Sequence, residues 1–377
     1  MTIRNLFHSA GALCLVFSAG LALAAEAKPA PAAAAPEKKQ ESADPLQNLK
    51  FRNLGPAAGG GRISAIASIP GDPNTIYLGS CSGGVFKTVD SGLTWKAIFE
   101  KYPPSIGAIA IAPSNPSLVW VGTGEPNPRN NVMDGHGVYF SADAGASWRF
   151  MGLPDAGQIS RILIDAGDPN TVYVAALGNI WKPNAERGVF RTTDGGQTWK
   201  KVLYVDEATG ASDLAMQPGN SKVLLAGMWQ FRRFPWEFVG GGPGSGLWKS
   251  NDGGTTWKKL EKDMPEGPLG RISLAIAPSN GNHVYALIHS KKGILFESKD
   301  LGERWERLTE SRTINVRPWY FSVIAVSPAD ENKLYFGSFN LVTSIDGGKT
   351  FQTNNRRIHP DYHAIWIDPK NPERIIQ

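Results

Sequence analysis

One octapeptide, Ser/Thr-x-Asp-x-Gly-x-x-Trp/Phe, recurs six times and constrains the fold more than any other feature of the chain. The copies run from Thr88 to Trp95, Ser141 to Trp148, Thr192 to Trp199, Ser250 to Trp257, Ser298 to Trp305 and Ser344 to Phe351. Their aspartates, Asp90, Asp143, Asp194, Asp252, Asp300 and Asp346, are separated by 53, 51, 58, 48 and 46 residues. A period near 50 is the length of one four-stranded β unit, since four strands of about five or six residues plus their turns consume it. The flanks agree. Each copy follows a Gly-aromatic or similar strand, as in Gly84-Val85-Phe86, Gly188-Val189-Phe190 and Gly246-Leu247-Trp248, and an apolar segment ending in a Pro/Asn turn precedes that strand. The octapeptide is then the hairpin between the third and fourth strands.

The chemistry of the repeat is local. A short carboxylate accepts backbone N–H bonds across the turn, Gly permits positive φ, and the aromatic ring packs between sheets. The six aspartates are therefore structural rather than catalytic candidates. The expected fold class is all-β: a β-propeller of four-stranded blades with six complete repeats and the start of a seventh at Tyr362 to Gln377, seven-bladed when intact. On this reading the chain stops within blade seven. Pairing of Phe51 to Leu54 as a closing strand is the alternative, and it would supply one missing strand.

Arg4 followed by an apolar run to Leu23, closing on Ala22, Ala24 and Ala25, has the form of an export signal, residues 1–25. Residues 26–46 are rich in Ala, Pro, Lys and Glu and read as a flexible tether. Residues 47–377 form the repeat domain. The expected location is secreted or periplasmic, with no membrane insertion after signal cleavage. Net charge is +5, without any run of five or six like charges, so nucleic acid is not an expected partner. Cys14 lies in the signal and Cys81 remains alone, which excludes an internal disulfide in the mature chain.

With these residues in view, the chain resembles the Asp-box (BNR-repeat) propellers, especially the sortilin-like N-terminal domain of large secreted bacterial proteins. The stretches Gly122 to Asn130, Tyr204 to Glu207, Trp229 to Arg233 and Gly241 to Gly244 carry the resemblance beside the octapeptides. It implies a ligand-binding module, or part of a glycosyl hydrolase. Xyloglucanase-like members place their acid and base on two propellers, so this propeller alone would hold half a site.

In such a fold, the loops joining second to third strands and those leading into the inner strands gather on one face. This places Arg129, Asn130, Arg161, Trp181, Trp229, Phe231, Arg232, Trp236, Arg317, Trp319, Tyr320 and His363 as ligand-binding candidates. The rings suit sugar faces or peptide side chains, unless they pack the loops onto the propeller. Glycoside hydrolysis needs two carboxylates, for which Glu125 and Asp213 are the candidates, although Glu125 could instead brace its loop against Arg129. A sialidase-like set of Arg62, Arg161, Arg271, Arg317 and Tyr320 lacks the Arg-Ile-Pro motif that would accompany it. His359, Asp361 and His363 alternate as metal ligands would on an extended strand, but a hydrogen-bonded loop is the stronger reading; no metal or cofactor is expected. The expected partner is a protein, peptide or polysaccharide ligand, with self-association through open propeller edges and an assembly scaffold as a further alternative.

Overall fold

The structure, a computed structural model, describes residues 61–292, 294–354 and 358–377. The export signal, the tether and the Phe51 to Leu54 closing strand lie outside the described residues. Among the described residues, six four-stranded antiparallel sheets follow one another along the chain, all simple meanders except the fourth. Blade one consists of Ile63–Ser68, Ile76–Ser80, Gly84–Thr88 and Lys96–Ala97. Blades two to six begin with Ile106–Ala112, Gln158–Ile164, Thr209–Gln217, Ile272–Ile276 and Val323–Val326. These first strands pack against one another in chain order, so they line the axis. No helix among the described residues is long and apolar enough to cross a membrane.

A serine near the start of the first strand ties most blades to the next. Ser160 Oγ donates to the Ala211 carbonyl at 2.7 Å, Ser212 Oγ to that of Ile272 at 2.7 Å and Ser273 Oγ to that of Ser322 at 2.7 Å. Ser64 does the same to Ile106. Blade two has Gly107 at this register, because a Cβ there would sit 2.1 Å from the Ile159 carbonyl oxygen. The core is correspondingly divided among the seams between blades. Trp120, Ile159 and Phe190 fill the seam of blades two and three, and Tyr285, Leu295 and Phe336 that of blades five and six.

The octapeptide turns behave as their composition requires. In the first, the Gly92 N–H donates to Thr88 Oγ1 at 3.0 Å and the Thr94 N–H to Asp90 Oδ1 at 2.9 Å, and the other five repeat this pair of bonds. In two copies the aromatic ring bonds across a seam, Trp148 Nε1 donating to the Ile98 carbonyl of blade one and Trp199 Nε1 to the Met151 carbonyl of blade two, whereas Trp95, Trp257 and Trp305 donate to the Gly92, Gly254 and Gly302 carbonyls of their own turns. Trp95, which belongs to the first blade, is 41% exposed.

The start of a seventh unit is a two-stranded ribbon, Trp366–Asp368 with Asn371–Ile376. It docks on blade one. The Gly71 N–H donates to Asp368 Oδ1 at 3.0 Å, and the Arg374 guanidinium donates to the carbonyls of Asp72 and Pro73, both at 2.9 Å. Blade four departs from the regular meander. A short hairpin, Arg232–Arg233 with Phe238–Val239, is inserted between its second and third strands.

Candidate functional site

The face that carries the inserted hairpin also carries the long loop after Thr123 in blade two, the stretch before blade six and residues 358–364. Their side chains surround two connected depressions. One, of about 690 Å³, is lined by Arg62, Cys81, Glu125, Arg129, Tyr320 and His363, among others. The second, of about 670 Å³, is lined by Arg129, Asn130, Arg233, Phe238, Arg317, Trp319, Tyr320 and Asp361. Arg129, Tyr320 and Asp361 border both. Beneath them a narrow axial channel of about 110 Å³ runs past Arg161, Asp213, Arg271 and His363.

The two buried carboxylates of this region, Glu125 and Asp213, are already engaged, whereas Asp361 is exposed at the rim. Glu125, 2% exposed, is ion-paired with Arg62, rather than with Arg129. Burial pushes the Glu125 carboxyl up, and the Arg62 guanidinium only partly opposes that shift. Asp213 pairs with Arg161 at 2.8 Å and also accepts the Leu214 and Leu274 N–H groups, each at 2.9 Å. Glu125 borders the upper cavity and Asp213 the axial channel, so they do not line one pocket. The Cys81 thiol is buried and driven well above the ordinary thiol range by desolvation, beside Glu125, which leaves it protonated and unreactive.

Several guanidinium groups, by contrast, have no carboxylate. Arg129 donates to Asn131 Oδ1 at 2.6 Å and approaches the Tyr320 hydroxyl, while Arg233 donates to Asn130 and stacks over Phe238. Arg271 donates to Asn127 Oδ1 at 2.8 Å and to the Trp319 carbonyl at 3.0 Å; burial pushes it down to about 10, where it still carries its charge at neutral pH. Among the described residues, Arg129, Arg233, Arg271 and Arg317 form no ion pair.

Of the sequence-derived candidates, Arg129, Asn130, Arg317, Trp319 and Tyr320 meet at the outer depression, and Arg161 and His363 reach the axis. Trp229 and Phe231 do not line the groove. They stack at 4.6 Å in a buried cluster with Val132, Leu177 and Ile180, because the long loops of blades two to four need an apolar core of their own. Trp181 packs half-buried against that cluster. Arg232 lies over Phe234 at 4.3 Å, away from the groove. Trp236 is 80% exposed at the hairpin tip, stacked on Phe234. His359 and Asp361 are exposed whereas His363 is buried, and no three potential ligands cluster for a metal among the described residues. The sequence reading missed the groove-lining roles of Arg233 and Phe238; their pairing across the Phe234 to Glu237 turn, with Phe234 N–H bonded to the Glu237 carbonyl at 2.8 Å, was the overlooked signal.

Comparison with known proteins places this geometry. Residues 136–266 match the family model described as sortilin, neurotensin receptor 3. A xyloglucanase of Paenibacillus sp is 23% identical over 361 residues, covering 85% of this chain and 33% of the relative. Xyloglucanase Xgh74A of Acetivibrio thermocellus is 27% identical over 203 residues, covering 52% and 19%, and rat sortilin is 26% identical over 178 residues, covering 45% and 20%. The chain thus spans from a fifth to a third of the length of these relatives. Among solved structures, the GH74 xyloglucanase of Xanthomonas campestris superposes with a TM-score of 0.58 at 18% identity, covering 80% of this chain and 47% of that one. YCF48 bound to D1 peptide gives 0.54 at 17%, covering 84% and 89%. The described domain is a sortilin-like β-propeller.

Proposed function

We propose that this sortilin-like propeller is an exported ligand-binding module whose loop face takes an extended, acidic segment of a protein or peptide. The observation that carries the reading is a groove where Arg129, Arg233 and Arg317, none of them ion-paired, flank the rings of Phe238, Trp319 and Tyr320. Uncompensated guanidinium groups attract carboxylates, and the rings supply apolar area for the intervening side chains. A neutral glycan would use the rings and leave the charges unanswered. The test is binding of an acidic decapeptide, measured calorimetrically, to the chain and to an Arg129→Ala, Arg233→Ala, Arg317→Ala triple variant. Each exposed charge contact is worth about 0.5–1 kcal/mol, so the triple variant is expected to bind about 10- to 100-fold more weakly. Equal affinity refutes the assignment.

A second reading, a share in carbohydrate hydrolysis, draws on the similarity to xyloglucanases and on the upward shift of the Glu125 carboxyl, the direction a general acid needs. The engagement of Glu125 and Asp213 by arginines in separate pockets counts against it. Reducing-end release from xyloglucan that disappears in Glu125→Gln would favour hydrolysis over the binding role.

A further inference from the structure

His363 sits where the upper cavity opens into the axial channel and borders both. Six residues before the Pro that follows the first strand, where the seventh unit carries His363, other blades carry Ser64, Gly107, Ser212, Ile272 and Ser322. The seventh unit alone places an imidazole there. It is 6% exposed, with its ring beside Phe321 at 5.2 Å and Tyr320 at 4.5 Å, and neither ring nitrogen has a hydrogen-bond partner of normal geometry. Burial, reinforced by Arg62, Arg271 and Arg129, drives it down to about 3, so the ring is neutral at physiological pH.

The neighbouring guanidinium groups are also incompletely satisfied: the Nε atoms of Arg62 and Arg271 are buried and make no hydrogen bond. The charged groups lining the upper cavity and the channel are Arg62, Arg129, Arg161 and Arg271 against Glu125, Asp213 and, exposed at the rim, Asp361. Glu125 and Asp213 are held by their own arginines. Buried donors without acceptors are costly, and here they converge on one positively charged passage.

We propose that His363, Arg62 and Arg271 form a binding site for a single carboxylate at the throat of the axial channel. The site uses none of Arg233, Arg317 or Trp319, and so stands apart from the groove assigned above. A neutral imidazole donates one N–H, and the guanidinium Nε groups donate alongside it to the planar anion.

The test follows the histidine ring resonances of the isotope-labelled chain by NMR as sodium acetate replaces sodium chloride at constant ionic strength. One of the six histidines, identified by its loss in His363→Phe, is expected to shift with saturation in the millimolar range. That variant keeps an aromatic ring beside Phe321, and unchanged near-ultraviolet circular dichroism shows that it folds. Arg271→Gln, checked in the same way, is expected to weaken acetate binding at least tenfold. Arg233→Ala with Arg317→Ala leaves the acetate titration unaltered, so failure at the groove and failure at the throat are read separately. N-acetylglycine binding more tightly than acetate assigns the carboxylate to a chain, and equal affinity assigns it to a free acid. An absent or non-saturating His363 shift, or acetate binding that survives both His363→Phe and Arg271→Gln, overturns the proposal.

Discussion

Replacing Arg62 by Ala isolates a buried charge, and the consequence can be worked from the pair it breaks. The Glu125 side chain is 2% exposed and that of Arg62 17%, so solvent screens their interaction little. Removing one partner of a buried ion pair costs about 3–5 kcal/mol, most of it for the abandoned charge. Arg129 remains near Glu125 and an open cavity adjoins it, which puts the expected cost at about 3 kcal/mol at pH 7. Glu125 is already raised above its unfolded value with Arg62 present, and loss of Arg62 raises it further. A carboxyl raised in the folded state loses stability as pH climbs from its unfolded value, about 4.3, through its folded one. Acidification therefore restores the variant: between pH 7 and pH 5 it should regain about 2 kcal/mol, within the limit of about 1.4 kcal/mol per pH unit for one proton. The assay is urea unfolding at both pH values, followed by tryptophan fluorescence and circular dichroism with coincident transitions. Adding Glu125→Gln to the variant should return stability to within about 1 kcal/mol of the parent, since a neutral amide costs less to bury. A cost below about 1 kcal/mol at pH 7, or the same cost at pH 5, would refute the reasoning and make the pair an ordinary screened contact.

Asp90, Asp143, Asp194 and Asp252 are held down to about 2 by hydroxyl groups on their own turns, so their contribution is present above the unfolded value near 4 and lost as pH falls towards 2; near-ultraviolet circular dichroism should report a loss of packing in that interval and none between pH 7 and pH 5. Trp229→Ala empties the buried loop cluster and should destabilise by about 3–5 kcal/mol in urea, whereas Trp236→Ala, at the exposed hairpin tip, should change stability by less than about 0.5 kcal/mol. Among the described residues, Asn371–Ile376 pairs on one side only, so light scattering should show concentration-dependent association that Ile375→Lys reduces; an unchanged monomer at all concentrations would count against an available edge.

The blades were legible because the octapeptide turn is locally determined: the Asp90 carboxylate, the Gly92 conformation and the Trp95 ring are specified within eight residues, and the same grammar recurs in every copy. The seams were less so. Nothing in a single repeat announces that Trp148 will bond to the Ile98 carbonyl or that Gly107 must clear that of Ile159. At the loop face, residue type misled where burial decided. Trp229 and Trp236 look equivalent in sequence, seven residues apart, but the first fills a core made by three loops and the second caps a hairpin in solvent. Glu125 lines the upper cavity, yet its partner comes from blade one instead of its own loop, because ion pairing around a propeller axis is set by three-dimensional closure. Nor could spacing show that Asp213 opens on the axial channel while Glu125 opens on the cavity above.

The most direct test of the central claim is calorimetric titration of the chain with an acidic decapeptide and, separately, with xyloglucan oligosaccharide, each at 50 and 300 mM NaCl. A cationic groove predicts saturable binding of the peptide that weakens several-fold at the higher salt, with the neutral oligosaccharide giving no binding. Saturable binding of the oligosaccharide that is indifferent to salt, with none of the peptide, would contradict it.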